Sequence, residues 1–73
     1  MLTDEQKAIL AIEARWWKHA GAKERYVKEA LGLDPIPYYQ RVNALIEDPE
    51  ALAVAPVVIN RLRRIRSHRR RAA

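Results

Sequence analysis

The stretch Val27-Lys28-Glu29-Ala30-Leu31-Gly32-Leu33-Asp34-Pro35-Ile36-Pro37-Tyr38-Tyr39-Gln40-Arg41-Val42 decides the fold. Its first half ends a helix, because Gly32 tolerates the left-handed conformation in which helices commonly stop. Its second half opens another, because Asp34 suits an N-cap and a proline at the first helical position gives up only an N–H that has no partner there. Pro37 disfavours helical angles at Ile36, so the second helix starts at Pro35 or at Pro37. Leu31 and Leu33 around the glycine, with Val27 four residues before Leu31, match the apolar frame of a helix-turn-helix. Lys28 stands where that motif prefers a small residue.

Toward the N-terminus, Thr3-Asp4-Glu5-Gln6 reads as a capping box. The first helix is expected to run along Ile9, Ile12, Trp16 and Ala20, which share one face at three- to four-residue spacing, and to stop at Gly21. Leu10 and Trp17 widen the stripe. Adjacent tryptophans on a helix diverge by about 100°, so one of them caps the edge of the core. A second helix over residues 22–31 would bury Tyr26, Val27, Ala30 and Leu31. Toward the C-terminus, Asp48-Pro49 repeats the cap-plus-proline signal for a short helix over 49–54, and Pro56 opens a last one. There Val58, Leu62 and Ile65 form a narrow stripe flanked by arginines, with a last turn expected to fray under like-charge repulsion. No strand-like alternation and no internal repeat occurs. The expected fold class is therefore all-α, a small helix-turn-helix-like bundle of four or five helices with an arginine-rich C-terminal helix. Residues 1–66 form the single helical domain and 67–73 its basic tail.

A chain of 73 residues buries a small core and is marginal without help. It has no cysteine, and His19 and His68 are far apart, which excludes a disulfide frame and a zinc site. The remaining route to extra stability is association with a partner or with a second copy as a homodimer. No apolar run approaches the roughly 20 residues that cross a bilayer, and the acidic N-terminus does not resemble a secretory signal. A cytoplasmic, nucleoid-associated location is expected. Residues 1–50 carry seven Lys/Arg against nine Asp/Glu, a net of −2, whereas residues 51–73 carry seven arginines and no acid, a net of +7.

Guanidinium groups bond phosphates bidentately and stay charged, so Arg61, Arg63, Arg64, Arg66, Arg69, Arg70 and Arg71 call for an anionic partner. Double-stranded DNA is the leading one and an acidic protein the next. A membrane is not expected, since the apolar stripe is thin and lacks Trp or Phe. Lys23, Arg25 and Lys28 are expected to add phosphate contacts from the second helix, with the charges of Glu24 and Glu29 beside them acting against it. On the third helix Tyr39, Val42 and Ile46 point inward, with Tyr38 and Leu45 at the margin. Pro37, Gln40, Arg41 and Ala44 face out as the candidate base-reading set, because Gln pairs with adenine, Arg with guanine, and Ala admits a thymine methyl; the alternative is that Gln40 and Arg41 are ordinary solvated helix-surface residues. Tyr38 is either a core-edge ring or a phosphate donor. No catalytic, metal or cofactor site is expected: Gly21 and Gly32 make no phosphate loop, Ser67 has no orienting acid, His19 closes a helix, and carboxylates such as Glu13 fall at caps or exposed positions.

The segments Trp16-Trp17-Lys18-His19-Ala20-Gly21-Ala22-Lys23-Glu24, Tyr38-Tyr39-Gln40-Arg41-Val42-Asn43-Ala44-Leu45-Ile46 and Arg61-Leu62-Arg63-Arg64-Ile65-Arg66 together resemble a family of short actinobacterial and actinophage proteins known as a domain of unknown function. The resemblance covers almost the whole chain and implies a helical, helix-turn-helix-like fold, without an activity. Asp34-Pro35-Ile36-Pro37 departs from the Ser/Thr-led turn of that pattern. The sequence thus points to a small non-enzymatic DNA-binding protein in transcription regulation. Its rivals are an adaptor on the transcription machinery and a nucleoid-type protein that coats DNA without reading it.

Overall fold

The computed structural model describes the backbone of residues 1–72 and side chains through Ser67. Among the described residues there are five helices and no strand: α1 (Asp4–Ala14), α2 (Ala20–Leu31), α3 (Pro35–Ile46), α4 (Pro49–Val54) and α5 (Pro56–Ala72). The fifth starts at the proline that the sequence marks. The backbone of the last turn, where fraying is expected, is helical through Ala72, and the side chains from His68 onward lie outside the described residues.

The capping box forms as expected. The Thr3 hydroxyl accepts the Gln6 N–H at 3.0 Å while the Gln6 side chain accepts the Thr3 N–H at 2.7 Å. Asp48 likewise caps α4, accepting the Glu50 N–H at 2.9 Å. α3 starts at Pro35 rather than Pro37. Both prolines then fall among the first helical positions, whose N–H groups have no intrahelical acceptor, so neither removes a bond. Gly32 ends α2 at φ 69°, and no atom lies within 4 Å of where a Cβ would stand. Any cost of a side chain at Gly32 is therefore conformational, about 1–2 kcal/mol.

The first helix is shorter than its periodicity predicts. It ends at Ala14, five residues short of α2, and neither Trp16 nor Ala20 belongs to its buried face. Three donors from outside the helical ladder stop it. The backbone N–H of Arg15 and the indole N–H of Trp17 both reach the Ile12 carbonyl, at 3.2 and 2.8 Å, and the Arg61 guanidinium bonds the Glu13 carbonyl. Carbonyls satisfied this way no longer need a continuing helix. His19 is correspondingly an N-cap, not a C-terminal residue: its Nδ1 accepts the Ala22 N–H at 3.1 Å. Gly21 lies in the first turn of α2, where a Cβ would come within 3.3 Å of that imidazole.

The core is built from Leu2, Ile9, Leu10, Ile12, Val27, Tyr38, Val42, Leu45, Ile46, Ala51 and Ile59, with Trp17, Leu31, Leu33, Tyr39, Leu52, Val58 and Leu62 packed at its edge. Two faces are rotated from their expected positions. On α3 the fully buried ring is Tyr38, with Tyr39 half-buried beside it. On α5 the fully buried residue is Ile59, whereas Ile65 is exposed. On α2 only Val27 is buried, while Tyr26 and Ala30 are exposed and Leu31 is half-buried.

Candidate nucleic-acid interface

α2 and α3 are joined by Gly32, Leu33 and Asp34, a three-residue turn between two twelve-residue helices. That connectivity leaves the outer face of α3 open. Gln40 and Ala44 are exposed on it, and Arg41 is exposed but engaged: its Nε donates to Glu5 at 2.8 Å and one terminal nitrogen to the Pro37 carbonyl at 3.2 Å. Pro37 is half-buried, so of the four expected base readers Gln40 and Ala44 are the unencumbered pair.

The expected phosphate contacts meet different fates. Tyr38 is removed from the set: its ring has no exposed surface and its hydroxyl donates to the Glu13 carboxylate in the interior. Lys23 is also turned inward, 3.1 Å from a Glu13 oxygen with its ammonium 5.3 Å from the Tyr39 ring, and Lys28 pairs with Asp34 at 3.0 Å. Arg61, Arg63 and Arg66 hold the molecule together. Arg63 donates through two nitrogens to the Ile46 carbonyl, at 3.2 and 3.1 Å, and Arg66 meets Glu47 at 2.7 Å. With Arg61 on Glu13, α5 thus places cations on the carbonyl ends of both α1 and α3, where the helix dipole favours positive charge. Arg25 and Arg64 are exposed with no carboxylate partner among the described residues. The side chains of Arg69, Arg70 and Arg71 lie outside the described residues.

The group that the sequence reading misplaced is Glu13. It is 6% exposed, not a surface carboxylate, and it gathers the Tyr38 hydroxyl and the Lys23 ammonium. Its position four residues after Ile9 was the available signal, since that spacing puts it on the apolar face of α1. Burial, reinforced by the hydrogen bond to Glu13 and its negative charge, raises the Tyr38 hydroxyl far above the ordinary tyrosine range. Burial also raises Tyr39, against the opposing charge of Lys23. Every buried side-chain polar atom among the described residues has a partner, so this network reads as a satisfied structural one.

Among the described residues two open concavities stand out. One, of about 280 Å³, lies between α1 and α2 along Ala8, Ala11, Ile12, Tyr26 and Leu31 under the Arg15 side chain. The other, of about 170 Å³, is rimmed by Lys23, Tyr39, Asn43 and Arg66. Among the described residues no group of three or more His, Cys, Asp or Glu side chains is placed to hold a metal ion. None of the described helices is long and apolar enough to cross a membrane.

Fold and surface together define a small all-α bundle with a cationic C-terminal helix. The chain belongs to the DUF3263 family, described as proteins of unknown function, whose family model matches residues 1–73. No curated protein and no solved structure matches it.

Proposed function

We propose that this chain is a small, non-enzymatic protein that binds double-stranded DNA. In this reading α5 holds the phosphate backbone and α3 offers Gln40 and Ala44 to base edges, in transcription regulation or another DNA-templated process of the bacterial cytoplasm. The observation that carries it is the charge of the C-terminal third, seven arginines without an acid. Like charges crowded on one segment repel one another, and an anion that meets them relieves that repulsion. Three of these arginines serve the fold, which leaves Arg64 and the three at 69–71 for phosphates. The actinobacterial or actinophage setting implied by the tryptophan and Tyr-Tyr-Gln segments belongs to the same proposal.

The test is titration of a labelled random duplex at several salt concentrations. Each neutralised phosphate adds roughly 0.9 to the slope of log K against log salt, so four arginines give a slope near −4, and removal of residues 67–73 brings it toward −1. Absence of duplex binding at about 50 mM salt, or a slope indifferent to the truncation, overturns it. A second reading, an adaptor for an acidic protein, draws on Arg66, which already holds a carboxylate at 2.7 Å. It takes over if duplex binding fails while an acidic partner is retained. A homodimer fits either reading and is checked by sedimentation.

A further inference from the structure

We infer that the loop between α1 and α2 is a second nucleic-acid contact, in which Trp16 stacks on an unpaired base while Arg15 and Lys18 meet the flanking phosphates. The inference rests on the nucleic-acid reading but uses a surface remote in sequence from α5 and a different form of the ligand.

The two tryptophans have opposite fates. Trp17 is tied down: its indole N–H reaches the Ile12 carbonyl at 2.8 Å and its ring lies 5.2 Å from that of Tyr26. Arg15 is stacked as well, its guanidinium 4.4 Å above Trp17 and 5.3 Å from the Tyr26 ring. Trp16, between these two anchored neighbours, is 81% exposed. With Arg15 and Trp17 held in place, the Trp16 ring faces solvent and is accessible before a ligand arrives. One of the two largest apolar side chains of the protein is thus left in water, where no core contact holds it.

Charge says what would cover it. From Ala14 to Lys23 the sequence has no acid; of the two that border this stretch, Glu13 is buried against Lys23 and Tyr38, and Glu24 is half-buried and accepts from the Tyr39 hydroxyl at 3.4 Å. Arg15 and Lys18 have no carboxylate partner among the described residues. A stacked guanidinium keeps its in-plane N–H groups for an anion. An exposed aromatic side chain flanked along the chain by Arg15 and Lys18, with neither cation paired to an acid, matches a ligand that alternates π-faces with negative charge, which is a polynucleotide strand. Bases in a duplex have their faces covered by one another, so the platform requires an unpaired one.

The experiment compares a short labelled oligothymidylate with a random duplex of equal length, using the full chain. Oligothymidylate should quench tryptophan emission. Trp16→Ala should weaken strand binding about 5- to 100-fold, abolish most of the quench, and leave duplex affinity and the thermal midpoint unchanged. Trp16→Phe, which keeps an aromatic face, should recover most of the affinity, and Lys18→Gln should flatten the strand's salt slope by about 0.7. Strand binding that is absent, or indifferent to Trp16→Ala, overturns the inference while duplex binding stands. A loss shared equally by strand and duplex also overturns it. Failure to bind either form removes the nucleic-acid reading with it, and the loop is then a surface for a protein partner.

Discussion

The Tyr38 hydroxyl donates to the Glu13 carboxylate between two helices, α3 and α1, at a point where both side chains are buried. Lys23 brings α2 to the same carboxylate at 3.1 Å. One charged group therefore locks the three helices that set the orientation of α3. Removing one partner from a buried charged network leaves the rest unsatisfied, which costs more than the net worth of the bond. Tyr38→Phe should lower stability by about 1–3 kcal/mol with little change in packing, and chemical denaturation followed by circular dichroism measures it. A loss under about 0.5 kcal/mol would mean that the hydroxyl is dispensable.

The same bond gives a pH dependence with a defined sign. Burial, then the Glu13 hydrogen bond and charge, raises the folded-state pKa of Tyr38 above the ordinary value of 10.0. Above that value the unfolded chain loses the proton while the folded chain keeps it, so the unfolded state is favoured as pH climbs. The contribution is fully present below about pH 10 and is lost progressively above it. Wild-type stability should fall from pH 9.5 to 11 by up to roughly 1.4 kcal/mol per pH unit for this group, and Tyr38→Phe should remove that component of the slope. An unchanged slope in the variant would assign the alkaline loss to other groups.

Much of the fold was legible because it rests on short-range chemistry. The Thr3–Gln6 box, the Asp48-Pro49 start, the Pro56 start and the Gly32 stop are decided within a turn or two of backbone, and each stands where the sequence puts it. The end of α1 was not legible, since it depends on Arg61, 48 residues away from Glu13 in the chain, and on an indole folding back. Periodicity carried the helix through Trp16 because nothing local forbade it. The candidate interface suffered from the same limit. Charge composition could count the arginines of α5 but could not tell Arg63, committed to the Ile46 carbonyl, from Arg64, which is free of carboxylates.

The tryptophans should separate in a stability assay. Trp17→Ala loses the indole bond to Ile12, the contact with Tyr26 and the seat of Arg15. Because the ring is only half-buried, the cost should fall below the 3–5 kcal/mol of a fully buried aromatic, at about 2–3 kcal/mol. Trp16→Ala removes an exposed ring and should change stability by no more than about 0.5 kcal/mol. Thermal melts of both variants measure the difference. Equal losses would place the two rings in equivalent environments, contrary to the structure.

Two neighbouring arginines should likewise part company. Arg63→Ala deprives the α3 terminus of its cation and two N–H donors, so it should cost about 1 kcal/mol of stability. Arg64→Ala should leave stability unchanged and reduce the duplex salt slope by about 0.9. Denaturation and salt titration of the same two proteins provide the check. If Arg64 proves the stabilising residue, α5 is rotated about its axis relative to this structure.

Reading DNA and merely coating it are separated best at Gln40. Arg41 is the stronger guanine partner in principle, yet Arg41→Ala also breaks the pair with Glu5 that links α3 to α1 at 2.8 Å, and it removes a charge. Any loss it causes therefore mixes stability, phosphate attraction and base contact. Gln40 is exposed, neutral and free of hydrogen bonds among the described residues. If α3 enters the major groove, Gln40→Ala should lose about 1–3 kcal/mol of discrimination at one base pair while non-specific affinity and salt slope stay as they were. Phosphate contacts position the protein and base contacts specify the sequence, so only a direct reader shows that split. Selection from a random duplex pool, followed by competition against single-base variants of the winning site, makes the measurement, with circular dichroism confirming that the helices persist. If selection yields no preferred site, or the preference survives Gln40→Ala while loss of residues 67–73 abolishes binding, α3 is a structural helix and α5 alone carries the contact.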